Sequence, residues 1–264
     1  MATVLDVLNF IETIAPSSMA ESWDNVGLLC GRKHKEVTKI LVALDPFRGV
    51  IQEAIAEQAD LIVTHHPLIF DSALMAVNED TETGRNLLTL IENGIAAINA
   101  HTNLDQAPGG VNACLAAKLG LENVSVIEPQ GVDAQGREWG LLRQGTVEEQ
   151  PLSHFLATVK EALHCQGLRY ADAGKPVRRV AVGGGACGSE WQSAVHAGCD
   201  TFVTSDIKYN QFWDAQDAGL NLIDAGHFST ENPVTAYLAE KLTAAFPEIQ
   251  VKISESHCDC MNFF

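Results

Sequence analysis

The stretch LIVTHHPLIF, residues 61–70, ends an apolar run in two adjacent histidines. Leu61, Ile62 and Val63 have the apolar continuity of a strand buried on both faces, and Pro67 stops the run just past the imidazoles. In open α/β sheets the carboxyl end of a strand is the usual ligand crevice. His65 and His66 therefore stand where a bound group would sit, and imidazole is the side chain that moves protons near neutral pH and binds transition metals.

Three further strand ends supply polar groups. HTNLD (101–105) sets His101 four residues before Asp105, HFSTE (227–231) sets His227 four residues before Glu231, and Ser205 with Asp206 closes the run TFVTSD. Each has an ordinary structural reading. A single histidine near a strand end is more often a satisfied structural residue, and Thr102, Asn103, Ser229 or Thr230 could simply cap a helix start. Repetition of the same histidine-to-carboxylate spacing, together with the adjacent pair at another strand end, favours a metal site instead.

The donor types narrow the ion. Imidazole and carboxylate without cysteine suit Zn²⁺, Mn²⁺, Fe²⁺, Co²⁺ or Ni²⁺, whereas an all-oxygen cage would favour Ca²⁺ or Mg²⁺. Two ions are expected, because adjacent histidines tend to point to opposite sides of the strand end and can serve one ion each. A bridging carboxylate would hold such a pair about 3.5 to 4 Å apart, the spacing of two-metal hydrolytic sites.

The elements that must position these groups alternate. Residues 3–14 carry helical spacing (Val4, Leu5, Leu8, Ile11, Ile14) closed by Pro16, and a strand is expected at Gly27–Cys30. From Lys39 the order is strand (KILVAL), helix (VIQEAIAEQ), strand (LIVT), helix (NLLTLIEN), strand (IAAINA), which predicts a parallel α/β arrangement. Residues 126–136, VIEPQGVDAQG, have the Pro, Gly and Asp content of a connector. The domains expected are thus a first lobe at 1–125, the connector at 126–136 and a second lobe at 137–264. The second lobe begins with a short strand (WGLLR) and a helix (HFLATVKEAL), and then the earlier order returns: VAVGG, a helix at 191–197, TFVTS, QFWDAQ, LNLIDA.

The halves align. ADLIVTHH (59–66) lies on CDTFVTSD (199–206), so that Asp60 meets Asp200 and Thr64 meets Thr204, and GIAAINAHTNLD faces GLNLIDAGHFSTE with one residue extra. A tandem duplication accounts for this better than chance. If two such lobes turn their carboxyl edges toward a common cleft, the polar strand ends converge.

Composition limits the alternatives. A formal charge of -17 argues against a phosphate-backbone binder, which would present clustered Lys and Arg, so DNA binding is not expected. No apolar run reaches the roughly 18 to 20 residues of a membrane span, and MATVLDVLNFIE lacks a basic segment before its apolar residues, so a cytoplasmic protein without membrane contact is expected. Seven scattered cysteines, an odd number, do not form a secreted disulfide framework. Gly183, Gly184 and Gly185 follow a strand and could bring amides to a phosphate, but GGGACG is neither a Walker loop nor the dinucleotide fingerprint. His257, Cys258 and Cys260 read as a tail rather than a third metal site.

Taken in order, WDNVGLL (23–29), VTHHPLIF (63–70), HTNLD (101–105), VAVGGGA (180–186) and DAGHFSTE (224–231) resemble the successive motifs of the NIF-three-like family. Its bacterial members are called GTP cyclohydrolase I type 2 homologues or dinuclear metal-centre proteins. The resemblance runs from about residue 3 to 255, in the short form that lacks an inserted central domain; the ending HCDCMNFF departs from it. It implies two similar α/β lobes related by internal pseudo-symmetry, a metal site in the cleft between them, and a toroidal homohexamer. The implied metal ligands are His65, His66, Asp105, His227 and Glu231, holding two divalent ions per chain with Glu231 as bridge, and His101 is the implied catalytic, proton-handling group. The implied reaction is hydrolysis of a nucleotide substrate, GTP, to dihydroneopterin triphosphate and formate, by water that two ions activate for attack at C8. Two alternatives use the same donors: a phosphoesterase or other nucleotide hydrolase, and a non-catalytic metal-binding regulatory hexamer.

Overall fold

A computed structural model describes residues 1–70 and 74–264. The chain forms two compact units, residues 1–104 with 234–258 and residues 105–233 with 259–264, and each is α/β with a mixed sheet.

In the first unit the strands are β1 (Gly27–Cys30), β2 (Lys39–Ala43), β3 (Leu61–Thr64), β4 (Ala96–Asn99) and β13 (Gln250–Ile253), in the spatial order β1-β4-β3-β2-β13. Strands β13, β2, β3 and β4 run parallel, and β1 closes the β4 edge antiparallel. Parallel strands covered on both faces must be apolar throughout, and LIVT and AAIN are buried at every position. Helix α1 (Val4–Ile14) begins with a capping box between Thr3 and Asp6. Helices α2 (Arg48–Ala56) and α3 (Glu82–Glu92) set Val50, Ile51, Leu87 and Leu90 against Leu41, Ile62 and Ala97.

The chain leaves this unit at Leu104, inside the short helix α4 (Thr102–Gln106). The second unit contains β5 (Glu122–Val126), β8 (Arg143–Gln150), β9 (Arg169–Ala171), β10 (Val177–Val182), β11 (Thr201–Thr204) and β12 (Asn221–Asp224), in the order β5-β8-β10-β11-β12-β9, with a separate ladder of β6 (Gly131–Val132) and β7 (Glu138–Trp139). Its parallel core is β10-β11-β12. Alternate residues serve opposite faces, as a period of two requires. Val180, Val182, Val203 and Ile223 pack with α5 (Val111–Lys118) and α6 (Leu152–Ala162), while Ala181, Phe202 and Leu222 pack with α7 (Trp191–His196) and α8 (Tyr209–Asp217). Helices α9 (His227–Glu231) and α10 (Pro233–Ala245) follow, and α10 carries the chain back to the first unit.

Both units start their parallel core in the same way. The Asp60 carboxylate accepts from the Thr38 and Lys39 amides at 2.8 and 3.2 Å, and Asp200 accepts from the Arg178 and Arg179 amides at 3.1 and 2.7 Å. Residues 126–136, expected as a connector, lie within the second compact unit. Those residues end β5 and supply β6 and the turn of the β6–β7 hairpin, where Asp133 accepts from the amides of Gln135 and Arg137. WGLLR is not one strand: Trp139 ends β7 and Arg143 begins β8. No described helix is long and apolar enough to cross a membrane.

Glu53 on α2 anchors the chain after β13, accepting from the Ser254 hydroxyl at 2.6 Å and the Glu255 and Ser256 amides at 3.0 and 2.8 Å. Burial by itself would raise this carboxyl, but the hydrogen bonds bring it down to about 2. A depressed carboxyl contributes stability that is fully present above its unfolded value of about 4.3 and is lost as pH falls through the folded value. Glu53→Gln should therefore cost about 2 kcal/mol at pH 7, and urea denaturation should show the gap from wild type closing between pH 4 and 2.

Candidate metal centre

The first unit gathers three imidazoles at the carboxyl ends of β3 and β4. Register aligns Ala43, Thr64 and Asn99 across β2, β3 and β4, so the residues that follow leave the sheet side by side. The His66 amide donates to Leu44 O at 2.9 Å, and the Thr64 hydroxyl donates to His66 O at 2.7 Å, which fixes the exit. The ring centroids of His65, His66 and His101 are 4.9, 5.3 and 5.6 Å apart, and one ligand nitrogen from each lies within 4.8 Å of the others.

Each ring is oriented through Nδ1. In His65, Nδ1 faces Ala100 O at 2.9 Å; a carbonyl only accepts, so Nδ1 carries the proton and Nε2 the lone pair. His66 Nδ1 meets Asp45 Oδ1 at 2.6 Å and His101 Nδ1 meets Asp24 Oδ1 at 2.9 Å, which imposes the same tautomer. The Asp24 side chain is only 2% exposed. Burial alone would raise its carboxyl, but the His101 ring and the Thr102 hydroxyl and amide hold it well below the usual carboxylate range. It is a fixed negative charge behind His101.

The second unit holds Asp105, His227 and Glu231. His227 opens α9 after Gly226, and its Nδ1 meets Asp206 Oδ2 at 2.7 Å while its Nε2 lies 3.1 Å from Glu231 Oε2, one helical turn on. That separation lets one small cation take both atoms. The Gly185 backbone passes directly over the carboxylate: at φ +63°, a Cβ there would lie 2.0 Å from Glu231 Oε1 and 3.2 Å from His227 Nε2. Burial first, and then the charges of Asp105 and Glu231, push the Cys187 thiol well above its ordinary value. Asn112 joins these parts, donating to Asp105 O at 3.2 Å and accepting from the Gly184 amide at 2.7 Å.

Other sequence candidates take structural places. Ser205 donates to Gly185 O at 2.6 Å and positions that loop, while Asp206 orients His227. The amides of Gly183, Gly184 and Gly185 donate to Val203 O, Asn112 Oδ1 and Thr230 Oγ1, so the glycine run presents no phosphate cradle. Asp24 and Asp45 were missed as functional residues. WDNVG was visible as a motif and Asp45 as a carboxylate just past a strand, but only strand register shows which ring each one holds.

The chemistry of the donors fits a divalent cation of the transition series. Lone-pair nitrogens are preset by neighbours in the first unit, and an imidazole and a carboxylate share a helical turn under a glycine backbone in the second. Fold and donors define an α/β protein with clustered His, Asp and Glu groups consistent with metal binding. A family model described as Duf34/NIF3 (NGG1p interacting factor 3) matches residues 2–259. A Clostridium perfringens protein called GTP cyclohydrolase 1 type 2 homolog is 37% identical over 241 residues, 90% of each chain. Among solved structures, a Staphylococcus aureus protein superimposes with TM-score 0.90 at 31% identity over 100% of this chain and 99% of its own. A Bacillus cereus protein related to NIF3 gives 0.93 at 25% identity, with the same coverage. The chain belongs to the Duf34/NIF3 family.

Gly185→Ala tests the cradle. The new methyl would collide with Glu231, so elemental analysis should show metal content falling well below wild type. Gly120→Ala is the control: its φ is +68° with nothing within 4 Å of the added carbon, so it should cost only the backbone strain of about 1 kcal/mol and leave metal content unchanged.

Proposed function

We propose that the protein is a divalent-metal-dependent hydrolase of the GTP cyclohydrolase type, with His65, His66, Asp105, His227 and Glu231 as ligands of two ions and Glu231 as their bridge. The observation that carries this reading is the imidazole cluster of the first unit, whose nitrogens lie within 4.8 Å of one another and whose rings are each held by an acceptor at Nδ1. The relatives named GTP cyclohydrolase 1 type 2 homolog support the choice of substrate. The homohexamer implied by the family resemblance belongs to the same proposal, and sedimentation velocity would report it directly.

When bound, the ions supply Lewis acidity and an activated water. The chain's own part is to orient donors and to move a proton. Asp24 fixes Nδ1 of His101, which leaves Nε2 to accept a proton from the attacking water and return it to the leaving group. Ala100 O and Asp45 do the same orienting work for His65 and His66, so that no ring must reorient as charge develops.

Formate release from GTP in the presence of Mn²⁺, Fe²⁺ or Zn²⁺ is the expected outcome. Phosphate release from nucleotides without formate would replace the cyclohydrolase with a phosphoesterase, and turnover of neither panel by metal-loaded protein would leave a metal-binding module. Glu231→Gln should lower metal from two ions per chain toward one or none, because a neutral amide is a poor bridge; two ions retained on elemental analysis would remove Glu231 from the bridging role. His101→Ala should reduce turnover by about 100-fold or more while metal content changes little, and equal loss of both would make His101 a ligand.

A further inference from the structure

Trp23 and Phe70 are large apolar side chains left in water beside the imidazole cluster, 56% and 61% exposed. Their rings lie 6.1 Å apart at a 39° tilt, and each meets His101 edge-on, at 6.1 and 5.9 Å. The backbone beneath them is firmly held. Asn25 Nδ2 donates to Ile69 O at 2.9 Å and ties the two aromatic loops together, Asn99 Nδ2 donates to Asn25 O at 3.0 Å, and the Glu21 amide donates to Thr102 Oγ1 at 3.0 Å. Two exposed rings on so braced a support are placed rings, not frayed ones.

We propose that Trp23 and Phe70 form a stacking site for the planar ring of a heterocyclic base, with the base edge directed at His101. Indole and phenyl faces stack on every nucleobase and immobilise little side-chain entropy, so they give affinity for the ring system without reading its substituents. Choosing a nucleobase over other planar rings rests on the hydrolase reading above. A wall of two side chains is the size of one small ring system and far below the roughly 800 Å² per partner of a stable protein interface. Its direct continuity with His101 makes it the place where a substrate ring meets the proton-handling group.

The test is binding, which separates it from turnover. Metal-loaded wild type, Trp23→Ala, Phe70→Ala and the conservative Trp23→Phe are titrated calorimetrically with guanosine and adenosine nucleotides and with inorganic triphosphate, and metal content and sedimentation are recorded for each. Either alanine variant should weaken nucleotide binding by about tenfold or more. Triphosphate affinity and metal content should stay at wild-type values, and Trp23→Phe should recover most of the loss. Nucleotide binding that persists without any hydrolysis would sink the hydrolase reading and leave the stacking site standing. The site is overturned if no nucleotide binds wild type more tightly than triphosphate does. Equal loss of nucleotide and triphosphate affinity would also overturn it, as would an oligomer that dissociates while nucleotide affinity is kept, which would make the pair a subunit contact.

Discussion

The candidate centre of the first unit depends on where three Nδ1 protons go. An imidazole is a predictable ligand or proton carrier only when one nitrogen is committed elsewhere, since the ring otherwise flips and exchanges tautomers at little cost. Here the acceptors are Ala100 O, Asp45 and Asp24, and they come from the ends of β4 and β2 and from the turn before β1. The hydrogen bonds to the charged Asp45 and Asp24 contribute about 1.5 to 3 kcal/mol each and the one to the neutral Ala100 carbonyl about 0.5 to 1.5, enough to favour one orientation. What places Ala100 O and Asp45 is the register of the parallel strands β2, β3 and β4, and what places Asp24 is the antiparallel pairing of β1 with β4. A slip of one residue would turn every side chain to the opposite face and separate each ring from its partner.

The second unit builds the same parallel core and spends its strand ends differently. Where β3 is followed by His65 and His66, β11 is followed by Ser205 and Asp206, and these hold other groups. Ser205 secures the Gly185 loop against the sheet, and Asp206 orients His227, the first residue of α9. A four-residue step along that short helix then brings Glu231 under the same imidazole. The close approach of Gly185 explains why the position must be glycine twice over: φ is +63°, and no side-chain atom fits above the carboxylate.

Much of this was legible in the chain itself. Apolar runs such as LIVT and AAIN, short and bounded by turn residues, suit strands covered on both sides, and the repeated histidine-to-carboxylate spacing pointed to HTNLD and HFSTE, whose Asp105, His227 and Glu231 fall in clusters that could hold a metal. Partners set by register were not legible, because nothing local joins Asp24 to His101 across 77 positions. The units themselves were hard to read for another reason. The Pro, Gly and Asp of residues 126–136 suit a hairpin turn as well as a connector, and β13, with the pattern QVKI, is an edge strand whose half-exposed residues carry no buried-strand signature.

The turn WDN shows how few residues such a centre needs when each does one job. Adjacent side chains of an extended turn face opposite ways, so Trp23 stands in solvent while the Asp24 carboxylate lies buried against His101 and Thr102, and Asn25 stitches the turn to Ile69 and, through Asn99, to β4. The indole and the imidazole it flanks are therefore braced by the same backbone. Moving that backbone would misplace the Trp23 indole and the His101 imidazole together. The placement of the indole and the placement of the His101 ring are thus linked through one turn, by its backbone on one side and by the Asp24 hydrogen bond on the other.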